Sequence, residues 1–159
     1  MKISIVYFSS TGRTAKMAEA IAEGIKRAGE VEVGVFPIDA LDVDFVNDSA
    51  AVIVGTPDYY AAEAWQVKQW LDTCPCKLGG KMGGAFCTAN FKQGGADVAI
   101  QSVLTQMLVK GMLIYSSGTH LGLPFIHLGP VCLKDSEEED KALFEVYGER
   151  FAAKAIELF

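Results

Sequence analysis

The hexapeptide Ser9-Ser10-Thr11-Gly12-Arg13-Thr14 follows directly on the apolar run Ile3-Ser4-Ile5-Val6-Tyr7-Phe8. Four hydroxyls, a glycine and an arginine thus stand between a stretch that reads as a buried strand and one that reads as a helix. In an α/β protein that junction is where a phosphate is held. A helix N-terminus offers unpaired backbone N–H groups and the positive end of its dipole. Hydroxyl side chains add donors, and Gly12 lets the backbone approach a ligand closely. The plainer reading, a helix cap with no ligand, would need only one such residue.

The rest of the chain repeats the alternation. Met17, Ile21, Ala22 and Ile25 share one stripe and predict a helix over 13–28, with Gly29 as its stop. Val31–Phe36 predicts a second strand, and 38–49 a connection with at most a short helix near Val43–Val46. Ala51–Gly55 predicts a third strand, and 62–73 a helix carrying Trp65, Val67, Trp70 and Leu71. The small-residue-rich Gly83–Thr88 reads as a fourth strand, 96–109 as a helix, and Met112–Tyr115 as a fifth strand. The last helix is predicted over 137–157, with Ser136 and Glu139 at capping-box spacing. Such a pattern predicts an α/β fold: a parallel sheet covered on both faces by helices in right-handed crossovers. The segment 116–135 is too long for a plain connection, and Gly129–Leu133 reads as a continuation of the fifth strand.

A length of 159 residues predicts one domain, 1–159. The net charge of −6 argues against nucleic acid as a partner, since phosphate contacts need clustered Lys and Arg. No apolar stretch reaches the roughly 20 residues of a membrane helix, so no membrane insertion is expected. The N-terminus runs straight into a strand without a signal-peptide pattern, and a cytoplasmic location is expected. The four cysteines, Cys74, Cys76, Cys87 and Cys132, lack the paired spacing of a zinc site. They are expected to be free thiols, with no metal bound.

In a doubly wound sheet, ligands bind outside the carboxyl ends of the strands. Two further segments should therefore join residues 9–14. Thr56-Pro57-Asp58-Tyr59-Tyr60-Ala61 brings adjacent aromatics, and Thr88-Ala89-Asn90-Phe91-Lys92-Gln93-Gly94-Gly95 brings an aromatic, amides and a glycine pair. Phosphate chemistry beside flat, hydrogen-bonding surfaces suits flavin mononucleotide (FMN) better than a sugar phosphate.

Ile5-Val6-Tyr7 followed by Ser9, Gly12, Thr14, Ala18 and Ile21 resembles the flavodoxin phosphate-loop signature. Gly55–Tyr60 with Gln66, Lys68 and Leu71-Asp72 resembles the corresponding loop and helix of WrbA-type NAD(P)H:quinone oxidoreductases. Phe86–Gly95 with Lys110-Gly111-Met112, and Ser136–Glu139 with Tyr147-Gly148, are similar to later parts of that family. The resemblance, shared with short-chain flavodoxins, implies a flavodoxin-like three-layer fold with a five-stranded parallel sheet of order 2-1-3-4-5. It also implies that Ser9, Ser10, Thr11, Gly12, Arg13 and Thr14 hold the FMN phosphate. Pro57, Asp58, Tyr59, Tyr60 and Ala61 would line the isoalloxazine. Thr88, Ala89, Asn90, Phe91, Gln93, Gly94 and Gly95 would bind the pyrimidine edge, Phe91 being a candidate stacking residue. His120, in the loop after the fifth strand, is the implied catalytic residue, placed to hydrogen-bond a quinone or steady reduced flavin.

The chain is shorter than most WrbA-type proteins. It also has no glycine between Thr56 and Ala64, where electron-carrier flavodoxins often place one whose peptide flips toward flavin N5. A non-glycine residue resists positive φ, so a hard flip and two-electron chemistry are expected. The resulting expectation is an FMN-dependent oxidoreductase moving electrons from NAD(P)H to a quinone or similar acceptor. The alternative is a flavodoxin-type electron carrier that docks to redox-protein partners, and a third is a module that has lost FMN. The apolar loop with Leu121, Leu123, Phe125, Ile126 and Leu128 is read as a lid or as the surface of a homodimer.

Overall fold

The computed structural model describes residues 1–159. The element order is β1 (Lys2–Tyr7), α1 (Arg13–Arg27), β2 (Glu32–Pro37), α2 (Val43–Asp48), β3 (Ala51–Pro57) and α3 (Trp65–Thr73). Then follow β4 (Met82–Ala89), α4 (Ala96–Val109), β5 (Leu113–Ile114), β6 (Val131–Leu133) and α5 (Glu137–Leu158). The strands form one parallel sheet in the order β2-β1-β3-β4-β5, with β6 also on β4. This is the flavodoxin-like α/β arrangement, with order 2-1-3-4-5.

Alternating side chains divide the sheet between two cores. Ile3, Ile5, Ile53 and Phe86 face α1 and α5, whereas Val6, Val52, Val54 and Ala85 face α3 and α4. A strand apolar at every position can only be central, because each face needs its own cover. All eight residues of β4 are buried. Its small residues have a packing reason: a Cβ on Gly84 would lie 2.3 Å from Tyr147 Oη and 2.6 Å from Phe151 Cε2.

The expected fifth strand exists in two pieces along one edge. Leu113 and Ile114 pair with Met82 and Gly83, while Val131–Leu133 pairs with Cys87–Ala89 at the other end of β4. The segment between them loops out, and of the expected 129–133 it is Val131–Leu133 that continues the fifth strand. Two local expectations change. Helix α3 begins at Trp65, not at residue 62, because an antiparallel bridge joins Asp58 to Glu63. The capping box does not form: the Ser136 hydroxyl turns to Asp140 Oδ2 (2.5 Å), which also accepts from the Leu133 N–H (3.1 Å). All four cysteines are free, and burial pushes the Cys132 thiol up to about 12. No helix is long and apolar enough to cross a membrane.

Helices α1 and α5 touch backbone to backbone. A Cβ on Gly24 would lie 1.9 Å from the Glu145 carbonyl oxygen, and one on Gly148 would lie 2.2 Å from that of Ile21. Phe144, Tyr147 and Phe151 fill the space on either side, and Phe144 meets Phe86 edge-on at 5.6 Å. An exposed Gly→Ala change in a helix normally stabilises by about 0.5–1 kcal/mol. Here the sign should reverse: Gly148→Ala is expected to cost about 1–3 kcal/mol through forced separation of the helices, measured by chemical denaturation.

Candidate cofactor site

The segments that leave β1, β3 and β4 are the ones that the sequence brings forward. In the first, Gly12 takes φ 96° just before α1, a left-handed conformation that suits glycine. Its N–H donates to Ser9 Oγ (3.1 Å), and its carbonyl accepts from Lys16 (2.9 Å). The N–H groups of Ser10, Thr11, Arg13, Thr14 and Ala15 find no partner within the chain, nor do the Ser10 and Thr11 hydroxyls. A Cβ built on Gly12 would meet nothing within 4 Å, and the first turn of α1 carries no acidic residue. A concentration of unpaired donors at the positive end of a 15-residue helix is an anion cradle.

Two of the six residues point elsewhere. The Thr14 hydroxyl is buried against that of Thr88 at 2.9 Å, stitching α1 to the end of β4. The Arg13 guanidinium, 15% exposed, turns away from the cradle to Glu137 Oε1 (3.0 Å) and Asn90 Oδ1 (3.1 Å). Only its backbone N–H is left facing an anion. No local signal in the sequence could join Arg13 to a partner 124 residues away.

The second segment is a small hairpin. Tyr59 and Ala62 exchange backbone hydrogen bonds (2.9 and 3.2 Å), with Tyr60 at φ 55° and Ala61 at φ 62° between them. Positive φ at both central residues marks a type I′ turn, which ordinarily takes Asn-Gly. The absence of glycine was expected to keep this backbone out of the left-handed region; it does not. Asp58 Oδ1 accepts from the Ala61 N–H (2.9 Å), Asp58 N–H donates to the Thr88 carbonyl (2.8 Å), and Thr56 Oγ1 accepts from Ala64 (2.9 Å). Those bonds hold the turn against its intrinsic cost. Burial raises the Asp58 carboxyl pKa, and the Ala61 bond opposes that shift. Tyr59 packs on the core beneath, while Tyr60 stands fully exposed.

The third segment touches the second through its glycine pair. A Cβ on Gly94 would lie 2.6 Å from Asp58 Oδ2, and one on Gly95 would lie 2.4 Å from Ala61 Cβ. The N–H groups of Asn90, Phe91, Lys92 and Gln93 have no partner within the chain. Phe91 is 74% exposed. Asp58, Tyr59, Tyr60, Asn90, Phe91 and Gly94 enclose a slot of about 360 Å³. A slot rimmed by rings, with free backbone donors on one side and an anion cradle nearby, accepts a flat heterocycle with an anionic tail.

His120 is not brought there. It lines a separate hollow of about 370 Å³ with Tyr115, Val146, Arg150 and Lys154, against α5. A larger hollow of about 620 Å³ lies on the other side of the third segment, between Lys92, Val98, Val131 and Asp140. It has no aromatic ring and shares no residue with the first two segments.

The strained turn yields a stability test. Each left-handed non-glycine residue costs about 1–2 kcal/mol. Because the Tyr60 side chain packs on nothing, Tyr60→Gly should be about 1 kcal/mol more stable than Tyr60→Ala. Denaturation of the flavin-free protein reads the difference.

The flavodoxin family model matches residues 5–72. A flavodoxin of Clostridium saccharobutylicum is 44% identical over 160 residues, covering 100% of both chains. An NAD(P)H dehydrogenase (quinone) of Azorhizobium caulinodans is 30% identical, over 84% of this chain and 76% of that one. Among solved structures, a WrbA-like flavodoxin of Agrobacterium tumefaciens superposes with a TM-score of 0.81 over 98% of each chain, at 24% identity. With an end-to-end match at that level of identity and a sheet of the same order, the chain belongs to the flavodoxin family.

Proposed function

We propose that this chain is a single-domain FMN protein that carries electrons between redox proteins in the cytoplasm and has no small-molecule substrate. The observation that carries the reading is the 44% identity to a flavodoxin along the full length of both chains. The quinone reductase reading has weaker support. Relatives of that name are about as distant as the 30% example above. Its other ground was a glycine-free loop that should avoid positive φ, whereas Tyr60 and Ala61 both adopt it.

The residues fit FMN. The phosphate belongs in the cradle of Ser9–Thr14, on the N–H groups of residues 10, 11 and 13–15 and the Ser10 and Thr11 hydroxyls. The ring belongs in the slot, against Tyr59 and Tyr60 on one side and Phe91 on the other. The N–H groups from Asn90 to Gln93 face its polar edge, with Gly94 and Gly95 closing the loop. Pro57, Asp58, Ala61, Thr88 and Ala89 frame the site through backbone. When bound, FMN supplies the electron-transfer chemistry. The protein excludes water, fixes the ring and presents one edge to a partner. No protein acid or base is needed, and His120 has no part.

Anaerobic reductive titration of the FMN-loaded protein should show two separate one-electron stages. NADH or NADPH with benzoquinone should give no turnover; rapid turnover would return the reductase reading. Replacing both free hydroxyls, S10A/T11A, should weaken FMN binding by about a hundredfold or more and leave riboflavin binding unchanged, since each hydrogen bond to a charged group contributes about 1.5–3 kcal/mol. Flavin fluorescence quenching measures both.

A further inference from the structure

We infer that Arg13 is a positioning residue that fastens the phosphate cradle to the loop between β4 and α4 (residues 90–95, the ring-edge loop) and does not itself receive the phosphate. The inference rests on the FMN reading above. Three donor contacts of one guanidinium reach two separate segments. Nε donates to Glu137 Oε1 at the start of α5 (3.0 Å). Nη1 donates to Asn90 Oδ1 in the ring-edge loop (3.1 Å) and lies 3.4 Å from the Ala89 carbonyl at the end of β4. The Ala89 carbonyl also accepts from Lys134, which anchors that strand end to the end of β6 (2.9 Å).

The connection matters because the two subsites come from strands that are not neighbours. The cradle follows β1 and the ring-edge loop follows β4, with β3 between them. Arg13 and the Thr14–Thr88 hydroxyl pair cross that gap, and Arg13 alone reaches past the strand end into the loop. A planar fork suits the task, since it bonds several acceptors at fixed angles, where an ammonium is a point charge.

Charge supports the same assignment. Glu137, Glu138, Glu139 and Asp140 begin α5 on this side of the cradle. Arg13 and Lys16 pair with Glu137, and Lys16 also bonds Glu138, so the anions nearest the phosphate site are already matched. The hydrogen bond from Arg13 is the main cause holding the Glu137 carboxyl below its ordinary pKa. A guanidinium committed to Glu137 and Asn90 is not available to a ligand.

The test separates position from charge. R13Q/E137Q removes one positive and one negative group, leaving net charge unchanged. The flavin-free variant is titrated with FMN and with riboflavin, which lacks the phosphate, and its thermal midpoint is measured beside wild type. The expected result is an equal loss for both flavins, about tenfold, with the FMN-to-riboflavin ratio preserved. R13K, which keeps charge but not the fork, should show the same equal loss and serves if the double variant unfolds. A loss confined to FMN would make Arg13 a phosphate ligand and overturn the inference. Unchanged affinity for both flavins would overturn it too. Wild-type protein that binds neither flavin would refute the cofactor reading itself.

Discussion

Backbone contact between α1 and α5 is the constraint on which much of the site depends. Two glycines on facing helices let main chain meet main chain, so the axes are fixed by hard atoms and not by adjustable side chains. The consequence appears at the far end of the pair. With the crossing set at Gly24 and Gly148, the first residues of both helices lie side by side, and Arg13 reaches Glu137. Arg27 meets Glu145 in the same way (2.8 Å). That outer pair is half exposed and worth little alone; the Arg13 pair is more enclosed and joined to a loop of the site. A packing decision deep in the protein thus becomes a geometric decision at the ligand.

The same device recurs between the loops. Gly94 and Gly95 let the ring-edge loop lie directly on the Asp58–Ala61 turn, with room for no Cβ at either position. The turn in turn carries two residues in a conformation that they disfavour. Its bonds to Asp58, Thr88 and Ala62 supply the compensation. Strain held by surrounding structure at a ligand site is a common arrangement. Here it keeps the turn upright, with Tyr60 in solvent and Tyr59 against the core.

Much of this was legible in the sequence because it follows from local periodicity. Strands apolar on both faces and helices with one apolar stripe specify a parallel doubly covered sheet, and the hydroxyl-rich junction after β1 marks the anion cradle. Even the split edge strand could be read, from the apolar character of 129–133. What could not be read is long-range or conformational. Asn90, Arg13 and Glu137 are far apart in the chain and meet only through helix packing. Their residue types gave no sign of the clamp: Arg13 in a phosphate loop is most simply a phosphate ligand, and Glu137 a residue of a helix start. The hairpin at 58–63 was hidden because Tyr-Ala is a poor I′ sequence. The loop after β5 offered a histidine, and the fold carries it to α5.

The turn also bears on how a carrier differs from a reductase. A reductase must admit a second substrate over the flavin and commit groups to it. The slot between Tyr60 and Phe91 is framed by exposed rings, and no titratable side chain except Asp58 and the two tyrosines lines it. Asp58 is itself occupied by the Ala61 N–H. Such a rim is suited to excluding water and meeting another surface, because aromatic rings bury large area at low entropy cost. Tyr60 and Ala61, both at positive φ, show that the lack of a glycine does not keep this backbone out of the left-handed region. The missing glycine, which first argued for hydride chemistry, therefore carries no weight against a one-electron carrier.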